Sequence, residues 1–221
     1  MEKWRKRWID EKKDIAIKLN SGKCGGSYAE SVIILCSALS ALASEVWPGQ
    51  KKDKVRFVEL LKEFAPEKYK VTNISIPLLI TYLKDKKRGK EAEIIREAYL
   101  NISSAIVITD SVDKSEKEIM QVCNTLGKKE LRDHSYASLL YSEVRCGYAH
   151  EYKTGKQTDP WPMTRQDTFI SYVNWACKPD RHIHFHLAWI AEMASSIAEK
   201  LDNIEDTLPK KDPKWWVNGN S

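Results

Sequence analysis

The chain has 221 residues, with 36 Lys or Arg against 31 Asp or Glu and a formal net charge of +5. Apolar residues make up 42% of the chain and charged residues 30%, a balance that excludes a wholly disordered protein. This length can bury one sizeable core, so we expect one folded domain, whose mild positive charge permits nucleic acid as a partner without requiring it.

The sequence also argues against membrane, secreted and disulfide-rich classes. Its best apolar stretch, residues 31–46, falls short of the roughly 18 to 20 uncharged residues of a membrane span and contains Glu45. Residues 1–8 lack the apolar run of a signal peptide, so we expect a cytoplasmic protein with no membrane partner. The five cysteines are an odd number without a CxxC pair, which argues against a disulfide framework or a thiolate zinc site.

Helical periodicity dominates most of the chain. In the first segment, Trp and aliphatic residues form one stripe among charged residues, which predicts an amphipathic helix. The capping-box spacing of Ser27 and Glu30 predicts the start of the second helix. A basic cluster around Gly89 interrupts the helical pattern of residues 76–100. The predicted helices cover residues 2–19, 27–46, 53–64, 76–100, 114–123 and 187–201.

The second half of the chain is more varied. Residues 101–113 are β-branched and remain ambiguous, whereas Asp133 is expected to cap a helix whose apolar residues recur as far as Tyr148. Further on, β-branched and aromatic residues at 168–175, a turn and a short extended segment predict a β-hairpin. We therefore expect an all-α domain over residues 1–204, with a β-hairpin at about 167–186 before the last helix and a basic C-terminal tail at 205–221.

Residues 145–150, Arg-Cys-Gly-Tyr-Ala-His, hold the candidate catalytic side chains Arg145 and His150. On an ideal helix five residues turn about 500°, or about 140° net, so one copy cannot easily aim both side chains at one atom. Two copies related by a two-fold axis would bring an Arg and a His from each chain to a shared cleft. The alternative is that both side chains only satisfy helix-end carbonyls and surface water.

This segment resembles the HEPN superfamily, a group of all-α proteins whose ribonuclease members share an Arg, four to six residues, and then a His. Residues 139–152 resemble the end of the family's long amphipathic helix well, and residues 27–200 resemble it loosely. The position after the Arg is often Asn, Asp or His in active members, and it is Cys146 here. The resemblance implies a HEPN-like helical bundle.

The resemblance also implies a chemistry that needs neither a metal nor a cofactor. RNA carries its own nucleophile, the 2′-hydroxyl, so the protein must supply a base, an acid and positive charge for the phosphate. A His serves as base or acid near neutral pH, and an Arg guanidinium offers a charged fork for phosphate oxygens. We expect a metal-independent endoribonuclease with Arg145 and His150 catalytic and with Cys146, Tyr148 and Tyr152 in supporting or substrate-binding positions.

The biological setting and partners follow from the same resemblance. It implies a homodimer that acts on RNA in host defence or as a toxin with an antitoxin. Arg145, His150 and Tyr152 match the Arg-x4-His-x-Tyr pattern of HEPN toxins whose antitoxin, a minimal nucleotidyltransferase, adenylylates the Tyr; the alternative is a Tyr packed at a helix end. The alternative function is a non-catalytic HEPN-type module that binds RNA, a nucleotide or a protein, and Cys146 is the residue that favours it.

Three further patterns are weaker. His182, His184 and His186 are spaced by two, so on a strand they would share one face and could bind zinc, although ordinary hydrogen bonds are expected instead. Residues 25–27, Gly-Gly-Ser, have the outline of a phosphate loop but lack its Lys, so a turn and an N-cap are expected. The basic run at 84–90 is expected to be a solvated helix end, with contact to an RNA backbone as the alternative.

Overall fold

The computed structural model describes residues 3–49, 51–100, 106–108, 112–158, 170–174 and 181–219. The protein is mostly helical with one small antiparallel sheet, which confirms the predicted all-α class with its β-hairpin. A π-helical segment, Leu140–Arg145, joins the eighth helix of the chain to the ninth. The helices are α1 (Trp4–Asn20), α2 (Tyr28–Val46), α3 (Asp53–Phe64), α4 (Ile76–Asp85), α5 (Gly89–Tyr99), α6 (Glu116–Val122), α7 (Lys128–Asp133), α8 (Tyr136–Leu139), α9 (Cys146–Glu151) and α10 (Leu187–Asp202).

The sheet contains the predicted hairpin and one additional strand. Strands β2 (Ile170–Asn174) and β3 (Arg181–Phe185) pair antiparallel immediately before α10. Strand β1 (Ile106–Ile108) pairs antiparallel with the other side of β2. The ambiguous segment at 101–113 therefore contributes a strand, and the pairing partner that decides this lies about sixty residues away, beyond the reach of local periodicity.

Local signals explain most helix starts, with one correction. The capping box of Ser27 and Glu30 is present, and the Ser27 N–H donates to the Glu30 carboxylate at 2.8 Å. Asp133 does not cap the helix that follows it, because its carboxylate is paired with Lys54 and Lys129 and it is the last residue of α7. Ser135 takes that role instead, and its hydroxyl accepts from the N–H of Ser138 at 3.3 Å.

Helix α2 lies at the centre of the larger core. It packs against α1, α3 and α10, and more than half of its residues are buried. Its 19 residues match the helix predicted over residues 27–46, and within the described ranges it is the one helix long and apolar enough to cross a membrane by length and composition. The buried Arg5 of α1 ties this layer together, since its guanidinium pairs with Glu45 of α2 and Asp202 of α10.

A smaller apolar cluster and the C-terminal tail complete the packing. The cluster is formed by α4, α5, α6 and α7, with Leu79, Ile95 and Leu131 fully buried. The tail lies against the larger core: the N–H of Trp216 donates to the Glu59 carboxylate at 2.7 Å. The Trp216 carbonyl in turn accepts from the Arg132 guanidinium at 2.7 Å, so the described part of the tail is an integral part of the fold.

A buried carboxylate joins the sheet to α4. One oxygen of Asp113 accepts from the N–H of Ile76 at 2.9 Å, and the other accepts from the hydroxyls of Tyr136 and Tyr172 at 2.5 and 2.6 Å. Burial raises the pKa of Asp113 to about 7, against the opposing effect of these hydrogen bonds. Asp113 is therefore mostly protonated below neutral pH in the folded chain.

This raised pKa predicts a pH-dependent stability. Between about pH 4 and 7 the folded chain holds a proton on Asp113 that the unfolded chain has lost, so its contribution to the free energy of unfolding falls as pH rises. In Asp113→Asn this loss, about 2 to 4 kcal/mol in total, should disappear. Urea unfolding from pH 4 to 9 measures it. The exposed Asp85→Asn is the control and should keep the wild-type slope; a wild-type slope in Asp113→Asn would contradict the prediction.

Candidate active site

The motif lies on one continuous helical run from α8 through the π segment to α9. In the π segment the N–H of Cys146 bonds to the carbonyl of Tyr141, five residues back. The π segment ends at Arg145, so the path from Arg145 to His150 is α-helical and the two side chains are separated by about 140° around the axis. Short π-helical segments are frequent at functional sites because they reorient the side chains that follow.

Arg145 is held by two side chains. Its guanidinium pairs with the Asp53 carboxylate at 2.7 Å and lies over the ring of Tyr141, 5.2 Å from the ring centroid. The Tyr141 hydroxyl donates to the same Asp53 oxygen at 2.9 Å, which links all three groups. The Arg145 side chain keeps 22% of its surface exposed. The result is a fixed, charged guanidinium that is still accessible from solvent.

His150 lies in a different environment. It is exposed on the last turn of α9, one residue before the helix ends at Glu151. The site thus combines an anchored Arg145 with a solvent-accessible His150 on the same helical run.

The three supporting residues have different surroundings. Cys146 is half-buried, and its sulfur accepts from the Arg145 guanidinium at 3.9 Å. Tyr148 is buried and packs edge-on against Tyr28 with ring centroids 6.0 Å apart, so it positions α9 against α2. Tyr152 is 59% exposed and has a left-handed backbone (φ 53°), so its ring is not packed at the helix end.

A return loop after α9 folds back on the π segment. The N–H of Gly155 donates to the Glu143 carbonyl at 2.7 Å, and the N–H of Gln157 reaches the Glu143 carboxylate at 3.4 Å. The loop then joins the sheet, where the N–H of Ile183 donates to the Gln157 carbonyl at 2.9 Å. This approach leaves no room at Gly147, where a Cβ would lie 2.5 Å from the Lys153 carbonyl oxygen.

Asp53 and Tyr141 are the site residues that sequence reasoning missed. Tyr141 lies four residues before Arg145, and helical spacing alone could have indicated their contact. Asp53 gives no such signal, because it is an ordinary acidic residue in the first turn of α3, separated from Arg145 by more than ninety positions. Such a pairing is set by the packing of α3 against the π segment.

The weaker patterns are not assembled into a metal or phosphate site. Among the residues that the structure describes, no group of three His, Cys, Asp or Glu side chains is placed to hold a metal ion. His182 and His184 lie on β3, whereas His186 follows the strand and its Nε2 lies 3.1 Å from the Ser171 hydroxyl. Ser27 serves as an N-cap. In the basic run, Arg88 pairs with Glu91 and Glu130, while the four lysines, Lys84, Lys86, Lys87 and Lys90, are exposed.

Comparison of the chain with protein-family models, with curated proteins and with solved structures finds no match. The resemblance to HEPN proteins therefore rests on the motif at residues 145–150 and on the helix that leads into it. What the structure adds is the surroundings of that motif, namely the ion pair of Arg145 with Asp53 and the contact of Arg145 with the Tyr141 ring.

The contact at Gly147 yields a prediction about the return loop. Replacing Gly by Ala inside a helix usually stabilises by up to about 1 kcal/mol. Gly147→Ala should instead lower the free energy of unfolding by about 1 to 3 kcal/mol, because the added methyl group meets the rigid Lys153 carbonyl.

Urea denaturation measures this effect, and Gly89→Ala is the matched control. Gly89 is also helical, but a Cβ there has no heavy atom within 4 Å, so this variant should be neutral or slightly stabilised. Equal stabilities for the two variants would show that the loop does not lie against Gly147.

Proposed function

We propose that the protein is a metal-independent, homodimeric endoribonuclease of the HEPN type. The observation that supports this most is the guanidinium of Arg145, fixed by Asp53 and Tyr141 yet still open to solvent, on the helical run that presents the exposed His150. A fixed cation and an accessible imidazole are the two groups that 2′-hydroxyl attack on a phosphodiester requires.

The proposed reaction uses these groups as follows. The RNA 2′-oxygen loses its proton to an imidazole and forms a bond to phosphorus, while the bond from phosphorus to the 5′-oxygen breaks. The leaving 5′-oxygen takes a proton from an imidazolium, so the products carry a 2′,3′-cyclic phosphate and a 5′-hydroxyl. Arg145 stabilises the charge on the phosphate oxygens through the N–H groups that Asp53 leaves accessible.

The dimer follows from the helix geometry. Because Arg145 and His150 diverge by about 140° along one helix, a shared cleft between two copies brings both types of group to one phosphate. In that arrangement the two His150 side chains supply the base and the acid. Light scattering at tens of micromolar should therefore give the mass of a dimer.

The ion pair with Asp53 favours one second candidate, a non-catalytic module that binds RNA, a nucleotide or a protein. An Arg whose charge is balanced by a carboxylate also serves to join α3 to the π segment. Cys146, which stands where active HEPN proteins often have Asn, Asp or His, favours the same alternative. A ribonuclease would cleave RNA and lose that cleavage in the alanine variants, whereas the wild-type binding module would not cleave RNA and its variants would lose only stability or binding.

Cleavage of a single-stranded RNA by alanine variants tests the proposal. His150→Ala should fold like the wild type, because the side chain is exposed, and should cleave about 10²- to 10⁴-fold more slowly. Arg145→Ala should lose at least about a hundredfold in rate and at most about 1 kcal/mol in stability, since Asp53 loses one ion-pair partner and keeps Arg56 and the Tyr141 hydroxyl. Gel electrophoresis and urea denaturation give the two readouts.

Arg96→Ala is the matched control, since Arg96 is an exposed arginine whose ion-pair partner is Glu93, on its own helix α5. It should keep the wild-type rate. Excess EDTA should leave the wild type active, and a 2′-O-methyl group at the cut site should block cleavage. Activity that EDTA abolishes and both alanine variants retain would contradict the mechanism. A wild type that binds RNA without cleaving it, together with an Arg145→Ala variant that unfolds, would favour the binding module.

The exposed Tyr152 yields a further prediction within this proposal. If the antitoxin is a minimal nucleotidyltransferase, its active site can reach the Tyr152 hydroxyl, because the side chain is 59% exposed beyond the end of α9. Mass spectrometry after co-expression with such an enzyme should show about one added nucleotide. Tyr152→Phe should show none, and an unmodified wild type would contradict adenylylation at this site.

A further inference from the structure

A cavity of about 300 Å³ lies where α1, the start of α2, the end of β3 and the start of α10 meet. Aliphatic side chains of α1 and α10 form its apolar wall, and its polar lining comes from Lys13, Asn20, Tyr28, His184, His186 and Glu192. Ligand sites in proteins commonly combine an apolar wall with a few convergent polar groups. The proposed ribonuclease mechanism uses none of these side chains.

The polar wall is a packed and oriented group. The imidazoles of His184 and His186 are both almost completely buried, and their ring centroids lie 4.6 Å apart. The ring of Tyr28 lies 5.3 Å from that of His184, and its hydroxyl donates to the Phe185 carbonyl. On the far side Ser171 holds the Nε2 of His186 at 3.1 Å. Side chains fixed in this way present a defined set of polar atoms to the cavity.

The charged side chains of the lining, Lys13 and Glu192, are of opposite sign, and the start of α10 shifts this balance toward binding an anion. Lys13 supplies an ammonium group, and α10, a helix of 16 residues, begins at the cavity with Leu187 and Ala188 in its wall. Because the N-terminus of α10 lies at this space and its first turn has no acidic residue, no carboxylate in that turn offsets the partial positive charge of its N–H groups. Glu192 is the single carboxylate in the lining, and the described residues place no three-ligand metal group here.

The volume limits the size of the ligand. About 300 Å³ is at the lower end of small-molecule sites, enough for one ring or a short chain with an acidic group and too small for an oligonucleotide. We propose that this cavity binds a small organic anion, a carboxylate or a phosphate monoester carried on a compact apolar body. The acidic group would lie near Lys13 and the histidines, and the apolar body against the aliphatic wall.

Titration calorimetry with phenyl phosphate and with benzoate tests the proposal on the full chain. The two probes share one ring and differ in the acidic group, so their relative affinities identify the source of the negative charge. Binding of either probe supports the proposal. Binding of neither overturns it.

Two measurements locate the bound probe. Lys13→Ala should weaken binding about five- to tenfold by removing a charge-assisted contact, while Lys18→Ala, an exposed lysine of the same helix outside the lining, should bind like the wild type. The imidazole nitrogen resonances of His184 and His186 should shift on binding in ¹⁵N NMR spectra. Equal affinities for both lysine variants, or binding without a shift at either histidine, would overturn this location.

Discussion

The close packing of the apolar helix α2 is the constraint on which the rest of the structure depends. Every element that carries a candidate site residue contacts it: α3 with Asp53, the π segment with Arg145, and α9 with His150. Alanines and serines between its larger side chains allow neighbouring backbones to approach closely. The positions of Asp53 and Arg145 therefore follow from the way α3 and the π segment share one apolar surface.

Periodicity and capping chemistry predicted the helices well, because these signals are local. The capping box of Ser27 and Glu30 spans four consecutive residues, and these were enough to predict the start of α2. Asp133 failed as a predicted cap because two lysines, one of them on α3, take its carboxylate. Strand β1 was ambiguous for a related reason, since its partner β2 lies far along the chain.

The candidate site shows the same division between local and distant information. The motif made Arg145 and His150 the candidate residues, and the spacing of Tyr141 was available to predict its stacking on Arg145. The sequence did not indicate that Asp53 would balance the guanidinium, because long-range ion pairs leave no periodic signal. The ion pair with Asp53 matters for function, since it means that Arg145 would meet a phosphate as one partner of an existing pair and not as a free cation.

The histidines show how burial separates residues of the same type into different roles. His150 is exposed at a helix C-terminus, where it can exchange protons with solvent. Burial, together with neighbouring His184, lowers the pKa of His186 to about 4, so at neutral pH its imidazole is uncharged. An uncharged imidazole suits a binding wall, because it can both accept and donate a hydrogen bond. The fold thus places its proton-transfer candidate in water and its binding candidates in the protein interior.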